Sequence, residues 1–344
     1  MKIAIHHKHG TFSDRWIEYC DANSIKWKNV NCYSNDIISQ LSDCDALMWH
    51  FHQNNIKDVL FAKQLIFSLQ TIGKQTFPDF NTVWHFDDKL GQKYLLEAIK
   101  APIPVTYVFF DIAEAMAWAE QTTYPKVFKL RGGSGSQNVR IVDSKAYSKN
   151  LIRKAFTRGF SNYNAIGSLK ERFRRYRIKK SPFMDVIEGV GRLIVPPRYS
   201  KIMGREINYT IFQEFIDGND HDIRVVVIED KAFAIKRMVR NKDFRASGSG
   251  KILYEKDLFD SGTITLAFNL ARTLKSQCIA FDFVYKDGDP LVVEISYGFS
   301  PEGYDPCPGF WDIEGNWYEG KFNPYGWMVE NLTKRSLFNS TNTN

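Results

Sequence analysis

The sequence predicts an α/β protein that opens on a small parallel lobe and continues in strand-rich lobes. Three observations carry this. Short β-favouring runs alternate with helix-forming stretches through about the first 80 residues, the pattern of a parallel sheet. Ile279–Ser296 reads as two apolar strands about Lys286-Asp287-Gly288-Asp289, a hairpin turn composition. The 344 residues suffice for two or three compact lobes with a sizeable core.

In the first lobe, Lys2–Ile5 is a short buried strand that ends in the loop Gly10-Thr11-Phe12-Ser13-Asp14. Ser13 or Asp14 is the expected cap of a helix through Trp16, Ile17 and Tyr19. Ile25–Val30 and Ala46–Phe51 are further strands, with a helix near Ile37–Leu41 between them. Ligands of such lobes sit at the carboxyl ends of strands, where His6, His7, His9, His50 and His52 fall. These histidines suit substrate contact, a metal site or ordinary loop chemistry.

Composition is that of a soluble protein, 44% hydrophobic and 25% charged, and no apolar run approaches the roughly 18–20 residues that span a bilayer. Met1–Ile5 turns polar at His6-His7-Lys8-His9, so no signal-peptide core is expected. Five cysteines without a C-x-x-C pair fit reduced thiols, hence a cytoplasmic setting. The net charge of +7 favours an anionic ligand.

Asp87 or Asp88 caps the next helix, with Leu90, Tyr94, Leu95 and Ile99 as its apolar stripe. A helix over Ile112–Glu120 precedes a strand at Tyr124–Leu130, then Arg131-Gly132-Gly133-Ser134-Gly135-Ser136-Gln137 and the strand Val139–Val142. A glycine–serine loop between strands can turn N–H groups inward as an anion nest, and Lys129 would face the same anion. It is neither a P-loop nor a dinucleotide fingerprint; a flexible hairpin tip has the same composition.

Residues 145–205 are the most basic stretch, and Glu171–Lys180 holds six cations and one acid. Interleaved aromatics and arginines suit nucleic acid, a solvated helix face on an insertion, or an anionic glycan. No recognised nucleic-acid module surrounds them. Further on, Tyr209–Ile228 contains two strands about a polar turn, and Ala232–Val239 a third that carries Arg237. Asn241–Gly250 is a small-residue loop containing Arg245, and the helix Thr263–Lys275 leads into the hairpin. Folding that hairpin brings Asp282 nearly opposite Glu294, with Ser296 on the face of Glu294. Two carboxylates on an apolar sheet need a compensating charge, and a divalent cation supplies it. Two unrelated solvent-facing acids are the alternative.

In this order the segments resemble the ATP-grasp superfamily of ATP-dependent carboxylate–amine ligases, over roughly residues 85–300. They are similar to the ribosomal-protein glutamylating ligases and more distantly to D-alanine–D-alanine ligase and biotin carboxylase. Asp243–Gly250 with Glu294–Phe299 looks like a subgroup from surface-polysaccharide gene clusters. The resemblance implies an α+β ATP-grasp fold, with two α+β subdomains clasping ATP. It divides the chain into a substrate lobe (1–84), a central subdomain with lid and basic insertion (85–207), a C-terminal subdomain with the metal site (208–335) and a flexible tail (336–344).

By resemblance, Lys89 and Lys129 hold ATP phosphates under the lid of Gly132, Gly133, Ser134 and Gly135. Gln213, Glu214, Phe215 and Ile216 match the hinge beside the adenine, and Asp222 the acid on the ribose. Arg224, Arg237 and Arg245 match cations directed at the triphosphate or acyl-phosphate, so Arg237, Arg245 and Lys129 are the expected catalytic groups. Asp282 and Glu294 match ligands of one or two Mg²⁺ ions. Ser296 stands where the family usually has Asn, which leaves the second ion in question. The implied partners are small-molecule or glycan carboxylates and amines and no nucleic acid, and a homodimer is compatible. A kinase acting on a hydroxyl, and a polyanion-binding protein with a vestigial nucleotide site, are the competing functions.

Overall fold

The computed structural model describes residues 1–53, 55–132, 138–161, 165–177, 181–195, 204–239 and 251–341. Its first lobe is a parallel sheet of β1 (Lys2–Ile5), β2 (Lys26–Asn29), β3 (Ala46–Met48) and β4 (Gln75–Phe77), ordered β2-β1-β3-β4. Helices α1 (Phe12–Ala22), α2 (Ile37–Gln40), α3 (Ile56–Thr71) and α4 (Phe80–Val83) connect and follow the strands. The cap of α1 is Thr11 rather than Ser13 or Asp14: its hydroxyl accepts from the Ser13 N–H. Helix α3 and strand β4 escape the sequence reading. Apolar residues ring α3, leaving Leu60 and Phe67 exposed opposite the buried Ala62, Leu65, Ile66 and Leu69, so its periodicity is blurred.

A second unit follows α5 (Lys89–Ala98). It is an antiparallel sheet of β5 (Thr106–Phe109), β6 (Lys126–Lys129), β7 (Val139–Val142) and a later strand, backed by α6 (Ile112–Gln121) and α7 (Lys145–Thr157). Strand β8 (Phe160–Ser161) then leads into the hairpin of α8 (Ala165–Arg177) and α9 (Phe183–Ile194), and β9 (Arg205–Glu206) pairs back with β8. Tyr94 is exposed; the buried face of α5 is Lys89, Gln92 and Leu96, with Leu95 and Ile99 at its flank.

Strand β10 (Thr210–Glu214) lies beyond the expected lobe boundary at residue 207, yet it runs between β5 and β6 in the second sheet. The chain then crosses to a third sheet at β11 (His221–Ile228), so 215–220 links two sheets. That sheet adds β12 (Lys231–Met238), β13 (Ile252–Leu253), β14 (Cys278–Lys286), β15 (Asp289–Ser296), β16 (Gly309–Asp312) and β17 (Trp317–Glu319). Its order is β15-β14-β11-β12-β16-β17, with β13 on β12.

Period-two alternation gives this sheet two cores. Ile223, Val225 and Val227 face the helix Ser261–Leu274 and α5. Val226 and Ile228 face the first lobe, sharing one cluster with Ile3, Ile5, Phe12 and Trp16. The helix Pro324–Thr341 adds Met328 and Val329 to that cluster and extends into the expected tail. The five cysteines are free and buried. Among the described residues, no helix is long and apolar enough to cross a membrane.

Asp287 and Gly288 take the β14–β15 turn with φ of 55° and 92°, the left-handed pair that a tight hairpin demands. Replacing Gly288 with Val should destabilise the protein by roughly 1 kcal/mol or more in urea unfolding. Gly191→Ala, in the open on α9, should instead be neutral or stabilise by up to about 1 kcal/mol.

Candidate active site

The third sheet carries a row of charges at one end of the face that packs on the first lobe. Cross-strand register builds it: Asp222 opposes Arg237, Arg224 opposes Asp282, and Asp282 opposes Glu294. Arg237 grips Asp222 through two hydrogen bonds of 2.6 Å and reaches Asp282 at 2.9 Å. Arg224 Nε stands 2.6 Å from Asp282 Oδ1. Burial raises the Asp282 carboxyl, but the two guanidiniums outweigh it and hold the group below its ordinary range. Asp222 is pushed upward by its own burial, against the pull of Arg237.

The pairing of Asp282 with Glu294 depends on an irregularity. The two-residue turn would oppose Asp282 to Val293, but a bulge shifts the register after Phe283–Val292 and brings Glu294 opposite instead. Without that extra residue Glu294 would point to the other face. The bulge also exposes a carbonyl, and Val293 O accepts from Lys129 Nζ at 3.2 Å.

Two lysines approach from the other elements. Lys89 begins α5, whose cap is Asp88: one carboxylate oxygen accepts from Gly91 N at 3.0 Å and the other from Arg131 at 2.6 Å. The Lys89 ammonium lies 3.5 Å from Glu294 Oε1. Gln92 secures the helix to β15 by donating to Ile295 O at 2.9 Å. Lys129, at the end of β6, is pushed down to about 8 by burial and by the charge of Lys89, against the opposing pull of Glu294 and Asp282. It lines a narrow cleft between the two antiparallel sheets with Lys89, Gln213, Leu96, Ile211 and Val292. Apolar walls with cations at one end suit a flat apolar group that carries an anionic tail.

Of the residues expected from the sequence, Lys89, Lys129, Arg224, Arg237, Asp282 and Glu294 gather here. Gln213 lines the cleft and donates to Thr106 Oγ1 at 2.9 Å. Glu214 is held by Lys126 at 2.8 Å and by the Tyr107 hydroxyl at 3.1 Å. Phe215 and Ile216 are half-buried at the crossing between sheets. Asp222 spends both oxygens on Arg237 and is not among the residues lining the cleft. Ser296 shares the face of Glu294 and donates to Gly298 O at 3.0 Å. Gly132 lies beside Asp87 and Glu206. Gly133, Ser134, Gly135 and Arg245 lie outside the described residues.

The histidines divide. His50 stacks on Phe12 with ring centroids 3.8 Å apart, accepts from Phe12 N, and is pushed down to about 3 by burial. His6 is buried against Val30 and Cys32, and His7 pairs with Asp14. Sequence reasoning missed Tyr304, buried beside Arg224 and Arg237 and pushed up to about 12 chiefly by burial. Nothing in its local pattern marks it. The Val293 carbonyl was equally hidden, because a bulge has no residue signature here.

Residues 198–304 match the family model of the RimK-like ATP-grasp domain. The chain has the ATP-grasp fold. D-alanine–D-alanine ligase from Bacillus anthracis, complexed with ATP, superposes with a TM-score of 0.57 at 13% identity over 100% of this chain and 99% of the ligase. An ATP-grasp RimK domain protein from Sphaerobacter thermophilus gives 0.54 at 14% identity over 96% and 99%. The biotin carboxylase domain of the Hydrogenobacter thermophilus 2-oxoglutarate carboxylase, with MgADP, gives 0.59 at 10% identity over 96% and 69%. A search of curated proteins finds no match to this chain.

Two predictions follow from the charges. Arg237→Leu leaves two buried carboxylates facing each other and should cost about 3–5 kcal/mol in urea unfolding, part of which Asp222→Asn restores. Lys129 has a folded pKa below its unfolded value of about 10.4, so its share of stability rises with pH between about 8 and that value. An anion beside it restores the proton. Nucleotide affinity should therefore fall as pH rises past about 8, with proton uptake visible in calorimetry across buffers of different ionisation enthalpy. Lys129→Met should remove that uptake.

Proposed function

We propose that the chain is an ATP-dependent carboxylate–amine ligase. The observation that carries this is the convergence of Lys89, Lys129, Asp282 and Glu294, from four separate elements, on one end of the cleft between the sheets. Four cations meet three carboxylates there, counting Arg224, Arg237 and Asp222, so the site favours an anionic ligand. Once the sheets part, a flat base would lie between Leu96, Ile211 and Val292, with Gln213 in reach of its edge and the phosphates directed at the lysines. The cleft as it stands is about 30 Å³, the volume of a water molecule, so admitting a base requires the sheets to part. The crossing at 215–220 is the connection able to yield.

A divalent ion fits this charge set when it arrives with phosphates. Asp282 and Glu294 share a face, and the buried Asp282 carboxylate is held ionised there by Arg224 and Arg237. Two carboxylates on one face suit magnesium, which completes its shell with phosphate oxygens and water. Asp282 and Glu294 would hold it, with Ser296 adjacent, and the ion would neutralise phosphate charge. The carboxylate substrate attacks the γ-phosphorus as ADP leaves, and the amine then displaces phosphate from the acyl-phosphate. Lys89 and Lys129 position the transferring group, and Arg224 and Arg237 keep Asp282 ionised and fixed.

Room for a further substrate lies on the opposite side of the first turn of α5. A cavity of about 630 Å³ there has Phe86, Phe110 and Tyr209 in its walls, with Asp87 and Glu206 flanking Gly132. Lys63, Arg131 and Arg205 line the same cavity, so its mixed charge suits a substrate that carries both an amine and an anionic group. Phosphate release screened over pairs of uronic acids, amino acids, peptides and amines tests the reading, and the uronic acids probe a role in surface-polysaccharide assembly. Release should need both an acid and an amine; ADP formed with neither refutes the ligase. Glu294→Gln should lower magnesium-dependent turnover by at least about a hundredfold with little change in melting temperature.

A further inference from the structure

The charge of the molecule is not spread over it. Residues 165–205 contain eleven lysines and arginines and three acids, a net +8 that exceeds the +7 of the whole chain. The rest of the protein is therefore close to neutral. The same insertion concentrates exposed apolar side chains: nine of the twenty-one large hydrophobic residues exposed among the described residues lie on α8, α9 and Val195.

Helix packing explains which side chains are left outside. Helix α9 buries Val186 and Gly189 against α8, so closely that a Cβ on Gly189 would stand 2.9 Å from Arg172 Cδ and 3.0 Å from Leu169 Cδ1. The outward face is then Phe183, Ile187, Val190 and Ile194, at the i, i+4, i+7, i+11 spacing of one helical stripe, and all four are exposed. Ile194 is 84% exposed. The acid Glu188 is taken up within the hairpin, by Arg172 at 3.0 Å and Arg192 at 3.0 Å, and Arg172 also donates to Asp185 O. Lys170 and Arg177 on α8 remain exposed.

We propose that the α8–α9 hairpin docks the protein on an anionic lipid surface, the stripe of α9 entering the headgroup boundary and the exposed Lys170 and Arg177 of α8 meeting lipid phosphates. Exposed aliphatic side chains on one helix and exposed cations on its partner are the chemistry that such a surface recognises. A second copy of the chain is disfavoured as occupant, because it would bring another +8 to the same contact. Nucleic acid would use the arginines but has no use for Ile187, Val190 and Ile194. Docking is independent of the nucleotide cleft, whose residues lie on other elements.

The test is sedimentation of the full chain with phosphatidylcholine vesicles, with and without phosphatidylglycerol, at low and high salt. Binding should require phosphatidylglycerol and weaken with salt. Ile187→Asp with Ile194→Asp should lower partitioning by at least about tenfold, and Lys170→Glu with Arg177→Glu by a similar factor. These positions are exposed, so the melting temperature should hold; if it falls, the milder Met184→Ser with Ile194→Ser pair should still reduce partitioning severalfold. Equal binding to both vesicle types, or partitioning unmoved by the apolar variants, overturns the proposal. So does a wild-type dimer that Ile187→Asp dissolves, or RNA binding without vesicle binding.

Discussion

The site depends on one row of charges across the third sheet. Arg237, Asp222, Arg224 and Asp282 alternate in sign through β12, β11 and β14, and Glu294 on β15, opposite Asp282, is met by Lys89. Buried ions are costly to desolvate, so such a row is poor as a source of stability. It is effective at holding geometry. Asp282 cannot turn away while two guanidiniums grip it. Further along the same face, Val226, Ile228, Phe233 and Ile235 pack on the first lobe. One sheet face thus anchors the lobe and presents the carboxylates.

Side chains of the second sheet and of α5 join this arrangement. Lys129 reaches the bulged carbonyl of Val293, and Gln92 and Lys89 tie α5 to β15 and Glu294. The Lys89 and Lys129 contacts are made by groups that an anionic ligand would engage. Asn219, in the crossing, pairs with the Tyr285 backbone in both directions, at 2.9 and 2.8 Å, so the crossing is fastened at its far end. A parting of the sheets, as the proposed function requires, would turn on the residues just before it, at Phe215–Asp217.

Legibility followed distance along the chain. The cap of α5, the last hairpin turn and the strong strands were readable: β1 and β7 fall on the expected residues, and the β14–β15 turn takes the left-handed pair that Asp-Gly implies. Helix α3 was not readable, because its apolar residues are spread around the axis. The path of β10 was not readable either. A strand followed by a polar turn and another strand looks like a hairpin, but the two strands belong to different sheets. Asp222 shows the same limit within the site, since its partner is decided by the register of β11 on β12.

By itself the sequence determined which side chains are available and in what order: two lysines ahead of strands and helices, three arginines, a carboxylate on each arm of the last hairpin, and a basic insertion. That order was enough to indicate the fold, because fold class follows from the succession of elements. Tertiary structure decided which of those groups meet. A single bulged residue, Val293, turns Glu294 to the face of Asp282, and the packing of Gly189 on α8 turns the stripe of α9 outward. Side-chain direction in a strand reverses with every residue, and around a helix it changes by about 100° per residue. Register and packing therefore set what a residue faces, and neither is written in local sequence.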